Sequence, residues 1–270
     1  MSTDTSTDAS CYSETIISRL READRIWLFL DYDGTLADFA PTPEHVEPDP
    51  AVLDLLNKLK QYEQIRLTVL SGRRLSHVKD LLPLAGIIKA GTYGIELQLP
   101  SGEEIERLDF ERVRPVLEKI KPQWESLLSR RKGFFLEDKG WSLAIHAKDA
   151  RDDETEMVLN KAEEVAWRSA ETGVFRILGG HKFLEIGPQI ANKGNAVEYI
   201  IEAYPWPNAI LVYVGDDDKD EEAFEPVQEH GGIAVVVASP ARESRADCRL
   251  ESPMQVHRWL DSLPAYLNLT

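Results

Sequence analysis

Cysteine is nearly missing from this chain: two, Cys11 and Cys248, stand in 270 residues. Neither has metal-ligand spacing, and the pair points away from a disulfide framework, with Cys11 expected in a frayed amino terminus. No apolar run is long enough to cross a bilayer. The opening, Met-Ser-Thr-Asp-Thr-Ser-Thr-Asp-Ala-Ser, is polar and acidic and lacks the apolar stretch of a secretory signal. These absences set the expectation of a cytoplasmic protein in a reducing compartment. Positive charge is scarce too: 31 Lys and Arg face 47 Asp and Glu, a net charge of −16. That argues against nucleic acid and an anionic membrane surface as partners. Internal repeats are missing beyond a twofold helix–hairpin hint in the middle of the chain, and a monomer or weak oligomer is expected.

What is present has the balance of an ordinary soluble protein, 43% hydrophobic and 29% charged, so a sizeable core is possible. Residues 1–10 carry little apolar content and are expected to be disordered; residues 11–23 suit a short lead-in helix. Strand-like runs follow at 26–30, 65–70, 87–90, 210–214 and 232–237, with helical spacing between them at 50–59 and 195–201. Such alternation predicts a parallel sheet covered on both faces. The middle differs. An amphipathic helix over 110–130 presents Val113, Leu117, Ile120, Trp124 and Leu127, with Pro115 and Pro122 positioned to kink or divide it. A strand pair around Asp138-Lys139-Gly140, a charged helix at 152–170 and a second pair around Gly179-Gly180 follow. This predicts an α+β domain over 106–188 inserted into an α/β core of 24–105 and 189–270, with 1–23 as tail and lead-in helix.

The apolar run 26–30 stops on Asp31-Tyr32-Asp33-Gly34-Thr35-Leu36. Two carboxylates that close repel unless a cation or a shared proton intervenes. An Asp-x-Asp-Gly alone can be a turn cap, but three more element ends carry matching groups. Ser71-Gly72-Arg73 follows one strand, Lys193-Gly194 opens a helix, and Gly215-Asp216-Asp217 follows another strand. Ligands of open α/β sheets bind outside the carboxyl ends of the strands, so these groups can converge. Asp31 and Asp216 supply hard oxygen ligands suited to Mg²⁺. Ser71, with the backbone donors of Gly72 and Arg73 at a helix start, can hold a phosphoryl group. Lys193 supplies a positive point charge. Asp31 is then the nucleophile, forming an aspartyl-phosphate, and Asp33 the acid and base.

These four segments resemble the motifs of the haloacid-dehalogenase-like (HAD) phosphatases. The resemblance implies a Rossmannoid α/β core with a C2-type inserted cap, and adds the main-chain carbonyl of Asp33 as a metal ligand. A closer resemblance is to the trehalose-6-phosphate phosphatase family, over roughly residues 24–260. It rests on Gly91-Thr-Tyr93-Gly94-Ile-Glu96, Glu137-Asp-Lys139 with His146, Lys182-Phe-Leu-Glu185, and Gly215-Asp-Asp217-Asp-Lys219-Asp220-Glu221. It implies that Glu137, Lys139, His146, Lys182, Glu185, Gly91 and Tyr93 contact the sugar phosphate, and that Asp217 and Asp220 back the metal loop. Strand alternation places Lys182 and Glu185 on opposite faces, which favours Glu185. Two positions depart from the family pattern: Ala147-Lys148 stand where Tyr-Arg is usual, and Lys219 stands for Thr. The implied activity is Mg²⁺-dependent hydrolysis of trehalose 6-phosphate. The rivals are a phosphatase for glucosyl- or mannosyl-3-phosphoglycerate or sucrose 6-phosphate, a phosphomutase, and a non-catalytic regulatory subunit.

Overall fold

The computed structural model describes residues 9–39, 47–170, 173–180 and 182–267. The expected disordered tail therefore lies, up to residue 8, outside the described residues. The chain forms two compact units, Met1–Glu106 with Asn192–Thr270, and Arg107–Ala191.

The first unit is built on an eight-stranded sheet. Its strands are β1 (Arg25–Leu30), β2 (Ile65–Leu70), β3 (Ile88–Gly91), β4 (Glu96–Gln98) and β5 (Glu104–Glu106). After the second unit come β10 (Ala209–Gly215), β11 (Ile233–Val237) and β12 (Cys248–Leu250). The order is β12-β11-β10-β1-β2-β3-β4-β5, with β4 and β5 antiparallel and the rest parallel. The chain runs outward from β1 on one side, then returns to fill the other. The boundary of β1 with β10 is thus the topological switch point, where such sheets open a crevice.

β1 shows why the sheet is covered on both faces. Ile26, Leu28 and Leu30 pack into one cluster with Val52, Leu56, Trp259 and Leu260. Trp27 and Phe29 point the other way, into a cluster with Val197, Ile200, Phe224 and Val227. These partners belong to α2 (Pro50–Leu59) and α8 (Pro253–Ser262) on one face, and α6 (Lys193–Ala203) and α7 (Asp218–Glu229) on the other. Asp49 caps α2 by accepting from the Ala51 N–H at 2.8 Å, with Pro50 in the first turn where its missing N–H costs nothing. Two further helices complete the unit, α1 (Glu14–Arg21) and α3 (Leu75–Leu81).

The two cysteines correct the sequence expectation. Cys11 and Cys248 form a disulfide, and both are fully buried. Residues 9–11 are pinned rather than frayed: the Arg249 N–H donates to the Ala9 carbonyl at 2.8 Å, and Trp259 Nε1 to the Cys11 carbonyl at 3.2 Å. Sequence spacing hides this pairing because the contact spans 237 residues and arises only when β12 joins the sheet edge.

The second unit has α4 (Phe110–Leu128), β6 (Phe135–Asp138), β7 (Leu143–His146), α5 (Asp152–Ser169), β8 (Phe175–Gly180) and β9 (Phe183–Pro188). Its antiparallel sheet has the order β6-β7-β9-β8. Pro115 and Pro122 do not divide α4. Val113, Leu117, Ile120 and Trp124 are all fully buried, and Trp124 Nε1 donates to the Ala162 carbonyl of α5 at 2.9 Å. Burial of four large side chains, at roughly 1.5–3 kcal/mol each, outweighs two lost backbone hydrogen bonds.

Candidate active site

β1 delivers Asp31 to the switch point, where its N–H donates to the Val214 carbonyl of β10 at 3.0 Å. The chain then reverses through Gly34, whose φ of +80° suits glycine. A side chain there would put Cβ 2.4 Å from Asp216 Oδ2, so only glycine lets the two aspartate loops lie together. Asp31, Asp216 and Asp220 offer carboxylate oxygens that lie within 4.8 Å of one another.

The three are not equivalent. Asp220 is fully buried, and four donors meet its oxygens. Lys193 Nζ at 2.6 Å and Tyr213 OH at 2.7 Å reach Oδ1, while the N–H groups of Asp216 and Asp217 reach Oδ2 at 3.0 and 3.1 Å. Its lone pairs are spent on holding the loop after β10 and aiming the lysine. Asp217 completes a capping box with Asp220 at the start of α7. Asp31 and Asp216 are the carboxylates of the three that could hold a cation. Burial pushes Asp31 well above the ordinary carboxylate range, with Asp220 and Asp216 adding to it and Lys193 opposing. Burial, Asp220 and Asp217 push Asp216 up to about 7. Crowded acids that resist ionisation are what a bound cation relieves.

Lys193, the first residue of α6, is 2% exposed and also reaches Asp31 Oδ1 at 2.8 Å. Burial works against its charge, but Asp220 and Asp31 hold it well above the usual lysine value. It remains an ammonium, a fixed positive point beside Asp31.

The loop after β2 carries Ser71, Gly72 and Arg73. Ser71 Oγ accepts from the Arg73 N–H at 3.1 Å, which leaves its own proton to donate. Arg73, read from the sequence as a phosphate ligand, grips both oxygens of Asp33, each at 2.6 Å. The segment Gly91–Glu96 wraps this loop from behind. Tyr93 N–H donates to the Ser71 carbonyl at 2.9 Å and Thr92 N–H to the Arg73 carbonyl at 2.6 Å. Glu96 Oε2 accepts from the Leu75 N–H at 3.1 Å and the Thr92 hydroxyl at 2.7 Å. Thr92 and Tyr93 take φ of +49° and +53°, a strained left-handed pair held by these bonds. Gly91 packs on the backbone of Leu75, where a Cβ would lie 2.2 Å from its nitrogen. Gly91 and Tyr93 thus shape the Ser71–Arg73 loop.

The second unit carries its own polar cluster. Register pairs Glu137 with Ala144 and Ala144 with Glu185, so the two carboxylates share one sheet face across a small residue. The other face bears Leu143, Ile145, Leu184 and Ile186, all buried. Glu185 is 2% exposed and accepts from Ser142 Oγ at 2.6 Å and Lys139 Nζ at 3.1 Å. His146 Nε2 lies 2.9 Å from Glu137 Oε2. Burial raises the Glu137 pKa, but His146 and Lys139 together hold it below the usual range. Lys182 stands apart: its Nζ binds the Ala150 carbonyl at 2.9 Å and Asp152 at 2.8 Å. The alternation argument against a shared contact with Glu185 agrees with that geometry.

Three residues were invisible to motif reading. Tyr213 orients Asp220, Ser142 orients Glu185, and Arg242 Nη2 donates to the carbonyls of Asp216 and Asp217, each at 3.2 Å. Only Tyr213 left a signal, a hydroxyl inside an otherwise apolar strand.

The trehalose-phosphatase family model matches residues 29–254. A probable trehalose-phosphate phosphatase of Sinorhizobium fredii is 31% identical over 246 residues, covering 89% of each chain. The trehalose-phosphate phosphatase of Mycobacterium tuberculosis is 30% identical over 89% of this chain and 61% of its own, so this chain spans about three fifths of that relative. The solved C-terminal domain of trehalose-6-phosphate phosphatase from C. albicans superposes with a TM-score of 0.82 at 19% identity, covering 97% of this chain and 99% of that one.

Proposed function

Because the chain belongs to the trehalose-phosphatase family, we propose that it hydrolyses trehalose 6-phosphate to trehalose and phosphate, with Mg²⁺, through an aspartyl-phosphate on Asp31. The observation that carries this reading is the buried Lys193 ammonium bonded at once to Asp31 and Asp220, with Asp216 alongside. A regulatory domain has no use for so costly a buried charge array.

The chain's own groups supply each step. Asp31 attacks phosphorus, and the sugar oxygen leaves with a proton from Asp33. Water then attacks the aspartyl-phosphate, giving its proton to Asp33 and releasing phosphate, and Asp31 is restored. Lys193, the Ser71 hydroxyl and the Gly72 N–H hold the phosphoryl oxygens as charge develops. Arg73 has two anionic partners to choose between, Asp33 and the phosphoryl group. Its transfer to the second frees Asp33 for proton work. Asp31, Asp216 and the Asp33 carbonyl are the hard donors that would hold Mg²⁺, which neutralises phosphoryl charge when bound.

Glu137, Lys139, His146 and Glu185 form the sugar-reading cluster in this account, with Glu185 fixed by Ser142. Lys182 is assigned to holding the loop at Ala150–Asp152 instead. Among the described residues no helix is long and apolar enough to cross a membrane. The Cys11–Cys248 disulfide weighs against the expected reducing, cytoplasmic compartment, where such bonds are rare.

The test is a phosphate-release panel over trehalose 6-phosphate, sucrose 6-phosphate, glucose 6-phosphate and the glucosyl- and mannosyl-3-phosphoglycerates, with and without Mg²⁺. Trehalose 6-phosphate should have the highest kcat/KM and need Mg²⁺. A higher value on any other member overturns the substrate assignment.

A further inference from the structure

Lys219 stands where the resembling family has threonine, in the first turn of α7 behind Asp216 and Asp217. Its N–H donates to Asp217 Oδ1 at 2.9 Å. Its side chain turns toward the other motif: Nζ donates to Tyr93 OH at 2.7 Å and lies 4.9 Å from the centre of that ring. Tyr93 in turn lies flush on Gly72. A Cβ at position 72 would sit 2.6 Å from Tyr93 Cε1, and the Tyr93 N–H holds the Ser71 carbonyl at 2.9 Å. Tyr93 is 5% exposed and keeps a left-handed backbone that its own propensity opposes.

We propose that Lys219 is a positioning residue: through Tyr93 it braces the Ser71–Gly72–Arg73 loop against the start of α7. The phosphate-holding peptide is thereby anchored to α7, whereas the Asp216–Asp217 loop is held separately by Asp220. A threonine side chain is too short for this reach. It acts on the phosphoryl group and not on the sugar. Its effect therefore falls alike on every phosphate ester, and on inorganic phosphate as an inhibitor. The inference rests on the Ser71–Arg73 loop being a phosphate cradle.

The experiment is a double-mutant cycle on the full chain, with Lys219→Met, Tyr93→Phe and both together, and Lys219→Thr and Lys219→Arg beside them. Folding is checked by thermal melting. Readouts are kcat/KM on p-nitrophenyl phosphate, the Ki of inorganic phosphate and the Mg²⁺ half-saturation. A charged hydrogen bond at a half-buried site predicts about a tenfold loss in kcat/KM and a similar rise in Ki for each single variant. The double variant should lose no more than either single one. Lys219→Thr should match Lys219→Met, Lys219→Arg should recover most of the loss, and the Mg²⁺ half-saturation should stay put. Additive losses, a Lys219→Met enzyme with wild-type Ki, or a shifted Mg²⁺ requirement would each overturn the brace. A wild-type protein that hydrolyses no phosphate ester refutes the cradle reading itself, a result distinct from an additive cycle.

Discussion

Asp220→Asn separates a metal ligand from a structural hub by the sign of its effect. Four donors converge on the Asp220 carboxylate. The amide that replaces it is isosteric but has one acceptor oxygen. If that oxygen keeps the Asp216 and Asp217 N–H groups, the new NH₂ faces Lys193, and two donors meet. Tyr213 can turn its hydroxyl to accept; an ammonium cannot. Lys193 is 2% exposed, so the loss leaves a buried charge short of one partner. Breaking such a pair costs about 3–5 kcal/mol. At about 2–4 °C per kcal/mol for a domain of this size, the melting temperature should fall by about 6–20 °C. The measurement belongs in chelator. Without metal, deleting one of three crowded carboxylates relieves repulsion, so a mere ligand should melt higher when neutralised. A hub should melt lower. Tyr213→Phe, which removes one donor and leaves the charges, should lose only about 1 kcal/mol. An Asp220→Asn protein as stable as wild type, or more stable, in chelator would refute the hub.

Three further outcomes follow from the same geometry. Chelation should silence phosphate release and Mg²⁺ should restore it, and Asp216→Asn should raise the Mg²⁺ half-saturation far more than Tyr213→Phe does; full activity after exhaustive chelation would contradict the metal assignment. Glu185→Ala should lower kcat/KM on the disaccharide phosphate about ten- to a hundredfold, the worth of a hydrogen bond to a charged group, while sparing p-nitrophenyl phosphate; equal losses would assign Glu185 to the fold. Asp138 is gripped by Arg114 and Lys121, whose hydrogen bonds hold its pKa well below the ordinary value. A depressed folded pKa stabilises above the unfolded value of about 3.9 and that stability is lost as pH falls through the folded one, so the melting gap between wild type and Asp138→Asn should be widest near neutral pH and shrink below about pH 4.

The sheet was legible because β1 and β10 read as apolar runs buried on both faces, and β2 departs from that pattern only at Arg66 and Thr68. Strand β2 was predicted at 65–70 and is found at Ile65–Leu70. The antiparallel edge was not foreseen: β4 and β5 are three residues each, two of them polar in each strand, too short for any period to show. Of the kink or division expected from Pro115 and Pro122, division of α4 does not occur, because proline propensity is a local term and the buried face of the helix is a tertiary one. The disulfide was missed for a related reason, since it depends on which strand closes the sheet edge. At the site, motif reading located the groups but not their pairings. Arg73 was read as a phosphate ligand, and the fold shows it holding Asp33. Asp220 was placed behind the metal loop, and its four donors give that placement a physical reason. Tyr213, Ser142 and Arg242 act through side chains that meet only in three dimensions.

The central claim is that Asp31 takes the phosphoryl group. Wild-type enzyme turning over trehalose 6-phosphate with Mg²⁺ should be stopped in acid, digested and analysed by mass spectrometry. The account predicts a phosphoryl group on the peptide containing Asp31, attached to that residue, and none in a folded but inactive Asp31→Asn variant. Phosphate found on another residue, or substantial turnover by folded Asp31→Asn, would contradict it.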